Sequence, residues 1–177
     1  MTDGEGFVCG PLYRLLVADH ERLVRLLDAA TARPDVIEST PYAVFRKGLL
    51  RHIGIEEKIL LPAAQRANDG VPLAVAAQLR LEHGAIATLL VPTPTPTIVA
   101  ALRDILTRHD QLEEGPDGVY TTCERLLEAS ADTLVAEIRA ARDVPVNAHV
   151  DGPLVMDAVA RALARAGYDL RDYTPAP

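Results

Sequence analysis

Apolar residues recur along this chain at spacings of three and four, and no long stretch alternates apolar and polar residues with a period of two. This spacing is typical of helices that each bury one face, so it predicts an all-α fold. We expect four helices over residues 11–31, 40–65, 72–90 and 97–114. Because the connections between them are short, they predict an up-down-up-down four-helix bundle.

The sequence after the fourth helix predicts additional helices at the C-terminal end. Gly115-Pro116-Asp117-Gly118 ends the bundle pattern, and a helical stretch over 119–142, a turn-rich segment and a last short helix ending near Ala166 follow. A length of 177 residues suits one compact domain. We therefore assign 1–128 to the bundle and 129–177 to a helical extension packed on the same domain, which covers the bundle or supports a homodimer.

Composition and charge exclude several classes of partner. Lys and Arg number 18 and Asp and Glu 25, so the formal net charge of −7 disfavours binding to nucleic acid or to an anionic membrane surface. No apolar run has the roughly 20 residues of a membrane-spanning helix. The first ten residues lack the apolar stretch of a signal peptide, so we expect a cytoplasmic protein. Cys9 and Cys123 form no Cys-x-x-Cys pair and are expected to be free thiols.

The histidines are the most informative polar residues. Four of the five fall one to each predicted bundle helix, at His20, His52, His83 and His109. The second and fourth are each followed four residues later by a glutamate, Glu56 or Glu113, within a shared local sequence, Arg-His-x-x-x-Glu-Glu. Residues four apart project from the same face of a helix. Each half of the bundle thus offers one lone histidine and one His-x-x-x-Glu motif, which we interpret as a twofold pseudo-repeat.

All six candidates fall where core leucines belong on the three-four stripe, so we predict that they face inward. Burying an unpartnered polar group costs about 1–3 kcal/mol, and a lone charge costs more. Cations that neutralise the carboxylates and accept the imidazole lone pairs would offset this cost. The sequence therefore predicts a dinuclear metal centre whose ligands are His20, His52, Glu56, His83, His109 and Glu113. Imidazole with carboxylate suits two iron ions, bridged by oxide or hydroxide, although manganese or zinc also fits this ligand set.

This ligand set resembles that of the hemerythrin-like HHE cation-binding family. Its members are four-helix bundles with a His on helix one, His-x-x-x-Glu on helix two, His on helix three and His-x-x-x-Glu on helix four. The resemblance covers residues 11 to about 120 and is closest in the stretch His52–Pro62. The oxygen carriers of the family have a second histidine on helix three and an aspartate ligand on helix four, which this chain lacks. The resemblance therefore implies a branch that binds or senses oxygen or nitric oxide, or that handles iron.

Two further functions remain open at this stage. The same centre could activate oxygen or peroxide in a diiron oxidase or peroxidase-like enzyme, although no catalytic residue besides the ligands is evident. A metal-free helical interaction protein with a polar core is the other alternative. Of the acids beside the candidate ligands, Glu57 and Glu114 are expected to be solvated or to support a ligand. Asp19 and Glu82 are expected to be exposed surface acids rather than supports for a ligand imidazole.

Overall fold

The computed structural model describes residues 9–33 and 36–174. This part of the chain is helical and contains no β-strand, so the predicted all-α class is confirmed. The first eight residues, on which much of the signal-peptide expectation depends, lie outside the described part. The α-helices are α1 (Pro11–Ala30), α2 (Ser39–Ile55), α3 (Leu61–Ala67), α4 (Ala76–Leu89), α5 (Pro96–Glu114), α6 (Val119–Leu126), α7 (Ala131–Ala140) and α8 (Pro153–Ala166).

The helix boundaries follow local signals at most positions. Pro11 and Pro96 lie in the first turns of α1 and α5, where the missing N–H has no partner to lose. The Thr95 side chain caps α5 by accepting a hydrogen bond from the backbone N–H of Ile98 (3.3 Å). The prediction for 97–114 therefore agrees with α5 to within one residue.

The predicted helix over 40–65 is interrupted by a π-helical turn, Glu56–Leu60, between α2 and α3. In this turn the N–H of Leu61 bonds to the carbonyl of Glu56, five residues back. The next residue is Pro62, which has no N–H to donate and whose ring crowds the carbonyl four residues before it. A widened turn relieves that conflict and lets the helix continue in α3.

Two predicted helices are shorter than expected. The stretch predicted over 119–142 divides into α6 and α7 at the 3₁₀ turn Glu128–Ser130. The helix predicted over 72–90 begins only at Ala76, after a turn in which the Ala76 N–H bonds to the Leu73 carbonyl (3.0 Å).

The apolar core is divided into two clusters, with a polar layer between them along the helices. The upper core includes Leu23, Leu27, Phe45, Leu49, Ile86, Leu102, Ile105, Val159 and Leu163. The lower core includes Leu12, Leu16, Ile55, Leu60, Leu79, Val119, Tyr120, Cys123, Leu134 and Ile138. Helices α1 and α4 run from the lower core to the upper core, whereas α2 runs the opposite way. Helix α5 runs from the upper core to the polar layer, and the chain enters the lower core in α6.

The helices after α5 pack on the rest of the chain. Helix α7 contacts α1, and α8 contacts α4, where it adds Val159 and Leu163 to the upper core. Arg46, which is buried, donates hydrogen bonds to the carbonyls of Leu90 (2.7 Å) and Asn147 (2.8 Å). It thereby ties the irregular segment before α8 to α2 and to the end of α4.

Within the described residues, no helix combines the length and apolar character needed to cross a lipid bilayer. The cytoplasmic location expected from the sequence stays a prediction.

Candidate metal centre

The six residues singled out from the sequence come together between the upper and lower cores. Each is buried, with an exposed fraction of 6% or less. On α1, α2 and α4 the histidine lies between residues of opposite cores, as His20 does between Leu16 and Leu23. On α5, His109 follows the upper-core residue Ile105 by one turn. All six side chains therefore face inward, as the apolar spacing of three and four predicted.

The donor atoms form two groups that share both glutamates. The first subsite consists of His20 and His52 with one oxygen from each glutamate, and the second of His83 and His109 with the other oxygens. The Nε2 atoms of His20 and His52 lie 2.8 Å apart. Those of His83 and His109 lie 3.0 Å apart. Each group brings four donors within 4.8 Å of one another, close enough to hold a metal ion.

Each glutamate presents one oxygen to each subsite. Glu56 Oε1 lies 3.2 Å from Nε2 of His52, and its Oε2 lies 3.2 Å from Nε2 of His83. The other glutamate, Glu113, has Oε2 3.5 Å from Nε2 of His20 and Oε1 3.2 Å from Nε2 of His109. A carboxylate placed in this way can bridge two ions.

Every imidazole donates a hydrogen bond from Nδ1 to an acid outside the six. His20 bonds to Glu114 (2.7 Å), and His52 bonds to Asp19 (3.0 Å). In the second half, His83 bonds to Glu57 (2.7 Å), and His109 bonds to Glu82 (2.8 Å).

These four acids are adjacent in sequence to a candidate ligand, but each bonds to a histidine on a different helix. The supporting role left open for Glu57 and Glu114 is therefore what the structure shows. The expectation of exposed surface acids at Asp19 and Glu82 was wrong, because both side chains reach across to a neighbouring helix, and Glu82 is only 3% exposed.

Burial and ion pairing act against each other on the pKa values of the site. Desolvation would lower the pKa of His52, but Glu56 and Asp19 outweigh it and raise that pKa to about 10. The same balance, dominated by Glu113, raises the pKa of His109 to about 10. Burial would raise the pKa of Asp19, yet hydrogen bonds from His52 and Arg22 lower it to about 2. In the metal-free molecule, protons on His52 and His109 therefore balance part of the carboxylate charge.

Tyr120, a residue of α6, is a further member of the site that sequence reasoning missed. Its side chain is fully buried in the lower core. The hydroxyl donates to Glu56 Oε1 (2.5 Å) and lies 3.0 Å from Glu113 Oε2. It also lies 3.0 Å from Nε2 of His20 and 3.2 Å from Nε2 of His52. Burial and the two neighbouring carboxylates raise the pKa of this phenol well above its usual range.

A tight turn after α5 places this tyrosine. The chain reverses between Gly115 and Gly118, where the Gly118 N–H bonds to the Gly115 carbonyl (2.8 Å). A Cβ atom on Gly118 would lie 2.5 Å from the backbone carbonyl oxygen of Glu113. Position 118 therefore favours glycine. This glycine lies two residues before Tyr120 and lets the chain turn back, so that α6 begins near the site. The Gly-Pro-Asp-Gly turn was the sequence signal that could have pointed to this approach.

One buried carboxylate oxygen of the site has an ion-pair contact but no hydrogen bond. Glu56 Oε2 is buried and accepts no hydrogen bond, although Nε2 of His83 lies 3.2 Å away. A buried carboxylate oxygen that accepts no hydrogen bond keeps part of its desolvation cost, even where an imidazole lies nearby. A cation in the second subsite would bind this oxygen. The donor set therefore fits a metal ion.

An apolar cavity of about 200 Å³ reaches the site from the upper core. His20, His52 and His109 line one part of it. Most of the other lining side chains are aliphatic, and they include Leu23, Leu27, Leu49, Ile53, Ile86 and Leu106. A small uncharged molecule that enters this cavity would meet the imidazoles on the side opposite the lower core.

The remaining candidates lie away from the centre. His149 lies in the irregular segment between α7 and α8, where its Nδ1 is 3.3 Å from the Val91 carbonyl and its ring contacts Tyr42. This placement agrees with the expectation that His149 lies outside the site. Cys9 and Cys123 are both free thiols. Burial raises the pKa of Cys123 to about 12, in keeping with the inert thiol expected there.

Comparisons with protein-family models, with curated proteins and with solved structures found no match for this chain.

Proposed function

We propose that this chain is a dinuclear non-haem metal-binding protein of the hemerythrin-like type, which holds two iron ions and binds or senses oxygen or nitric oxide, or handles iron. The observation that carries the proposal is the common direction of the four imidazoles. Each donates from Nδ1 to an outer acid and turns Nε2 towards the two buried carboxylates.

This arrangement favours a cation for an electrostatic reason. A neutral imidazole that carries its proton on Nδ1 has a lone pair on Nε2. Two such lone pairs meet across 2.8 Å between His20 and His52, and two more across 3.0 Å between His83 and His109. They repel one another unless a proton or a metal ion neutralises them. A histidine whose other ring nitrogen donates to a carboxylate is also the usual form of a metal-binding histidine.

The charge of the site supports two highly charged ions. The two inner glutamates and the four outer acids carry six negative charges when ionised, and two ferric ions carry six positive charges. Imidazole with carboxylate is a ligand set that iron accepts readily, and manganese and zinc are the alternatives. Glu56 and Glu113 would bridge the two ions, and two histidines would bind each one. Iron bound here would supply an open coordination position for a diatomic ligand.

The surroundings fit the same function. Helices α1, α2, α4 and α5 alternate in direction between the two cores, and we propose that they form an up-down-up-down four-helix bundle around the centre. The cavity, which is lined mostly by aliphatic side chains, gives a small uncharged molecule a route to the imidazoles. Oxygen and nitric oxide have the size and polarity that such a route admits.

The test is the metal content of the protein purified from iron-replete cells. We expect two ions per chain and a melting temperature that falls after chelation, because a ligand present at 100 times its Kd stabilises the folded state by about 2.7 kcal/mol. The ferrous protein should then bind nitric oxide, observed by electron paramagnetic resonance. Fewer than one ion per chain, with an unchanged melting temperature after chelation, would contradict the proposal and favour a metal-free interaction protein.

A matched pair of histidine variants makes this test specific. His83→Ala should lose at least one ion, because it removes a donor from the second subsite. His149→Ala should keep both ions, since this residue lies outside the site. Equal metal content in the two variants would contradict the assignment of ligands.

A catalytic role is the second candidate, and the volume of the cavity favours it. A water molecule occupies about 30 Å³ of liquid, so a cavity of about 200 Å³ has room for a second reactant beside a diatomic ligand. Mixing the reduced protein with peroxide distinguishes the two roles. Many turnovers per chain would support an oxidase or peroxidase-like enzyme, whereas one stoichiometric oxidation would support a binding protein.

A further inference from the structure

We propose that Tyr120 is a seventh protein ligand, which binds the ion of the first subsite through its phenolate oxygen and makes the two subsites chemically unequal. This inference rests on the proposed function, since it requires an ion in the site. It concerns a residue from α6, outside the four helices that carry the six predicted ligands.

The position of the hydroxyl is the first argument. Its oxygen lies 3.0 Å from Nε2 of His20 and 3.2 Å from Nε2 of His52. It lies 2.5 Å from Glu56 Oε1 and 3.0 Å from Glu113 Oε2. Neighbouring donors on an octahedral ion with bonds of about 2.1 Å are separated by roughly 3 Å. Tyr120 therefore has the spacing of a ligand adjacent to all four donors of the first subsite.

The four other donors are arranged in keeping with this geometry. Around them the separations are 2.8 Å from His20 to His52, 3.2 Å from His52 to Glu56, and 3.5 Å from His20 to Glu113. A ligand adjacent to four donors occupies the apex of a square pyramid, and the position opposite it is the sixth. Tyr120 approaches from the lower core, whereas the cavity reaches His20 and His52 from the upper core. The open position of the first subsite would then face the cavity.

The hydroxyl also distinguishes the two subsites. Both histidines and both carboxylate oxygens that it contacts belong to the first subsite. When a ferric ion binds, the O–H bond of Tyr120 breaks, an iron–oxygen bond forms and the proton leaves to solvent, with no change in oxidation state. The ion of the first subsite would have five protein donors and that of the second subsite four.

The test is the visible spectrum of the protein reconstituted with ferric iron. A ferric phenolate gives a broad charge-transfer band in the visible range, and resonance Raman excitation within that band enhances tyrosine ring vibrations. We expect the wild-type protein to show both signals. Tyr120→Phe should lose the band completely while it still binds iron. Tyr42→Phe is the matched control, because Tyr42 is an equally buried tyrosine of the upper core, and this variant should keep the band.

The possible outcomes distinguish this inference from the function on which it rests. A wild-type protein with two ferric ions and no phenolate band would overturn the role of Tyr120 and leave the metal centre intact. A band that persists in Tyr120→Phe would also overturn it. Fewer than one ion per chain would overturn the proposed function and this inference with it. If Tyr120→Phe fails to fold, the Raman spectrum of the wild-type protein decides alone.

Discussion

Replacing Glu56 by glutamine removes one negative charge from the middle of the site while keeping the size of the side chain. The carboxylate faces His52 through one oxygen and His83 through the other, at 3.2 Å in each case. Burial would raise its pKa, but these two histidines lower that pKa well below its usual range, so Glu56 is ionised at neutral pH. The substitution therefore leaves buried imidazolium charge without its main partner.

The expected loss of stability is large. Removing one partner of a buried ion pair costs about 3–5 kcal/mol, because the remaining charge stays desolvated. With a urea m-value of about 2 kcal/mol per molar, this corresponds to a fall in the unfolding midpoint of about 1.5–2.5 M. The amide keeps only one oxygen and can no longer bridge two ions, so reconstituted Glu56→Gln should hold at most one ion per chain.

The assay is urea unfolding of the metal-free protein at pH 7, followed by circular dichroism, together with metal analysis after reconstitution. Glu21→Gln is the control, because Glu21 lies on the exposed face of α1 and a surface change of this kind alters stability by at most about 0.5 kcal/mol. If Glu56→Gln unfolded at the same urea concentration as Glu21→Gln and kept two ions, the reasoning from buried charge would be refuted.

Three further predictions follow from the same contacts. In the metal-free protein, His52 and His109 have pKa values of about 10, whereas the unfolded value is 6.5. The ion pairs of these two histidines therefore stabilise the fold fully below pH 6.5, and this stabilisation is lost as pH rises towards 10. For each histidine, the free energy of unfolding should fall by up to about 1.4 kcal/mol per pH unit over this range. Urea unfolding at several pH values measures this slope, and a free energy of unfolding that does not change with pH would contradict the ion pairing. Asp19→Asn should weaken metal binding by about 10–100-fold in a chelator competition, and unchanged affinity would show that this hydrogen bond is dispensable. Gly118→Ala should lower the melting temperature and disturb the contacts of Tyr120, since the new Cβ would lie 2.5 Å from a carbonyl oxygen; a melting temperature equal to the wild type would show that the turn relaxes freely.

The positions of the six inner residues could be predicted because helical periodicity alone determines them. A residue that occupies a leucine position on an apolar stripe must face the core, whatever the neighbouring helix does. The outer acids could not be predicted in the same way. Asp19 is one residue from His20 and points about 100° away on the same helix, a direction that leads either to solvent or to an adjacent helix. Which of the two applies depends on the packing of α1 against α2, and periodicity carries no information about it.

Features that depend on the local path of the backbone were also out of reach. The π-helical turn after Glu56 arises from the conflict between Pro62 and a continuous helix, and a hydrophobic pattern does not distinguish a widened turn from a regular one. Tyr120 reaches the site only because the turn ending at Gly118 returns the chain towards it. The expected single helix over 119–142 placed this tyrosine on a helix that follows the four helices with the candidate ligands, and it gave no reason to bring the side chain back to them.

The twofold pseudo-repeat accounts for the six candidate ligands but not for the chemistry that distinguishes the two ends of the site. The hydrogen bonds of the two halves correspond one to one, since His52 pairs with the acid before His20 and His109 pairs with the acid before His83. If only this pattern acted, the two subsites would be equivalent. Tyr120 adds a hydroxyl to the first subsite from the lower core, and the cavity opens onto the layer from the upper core. The cavity is lined by helices of the repeat itself, so Tyr120 is the part of this asymmetry that comes from outside the repeat. A difference between two bound ions would therefore originate at Tyr120.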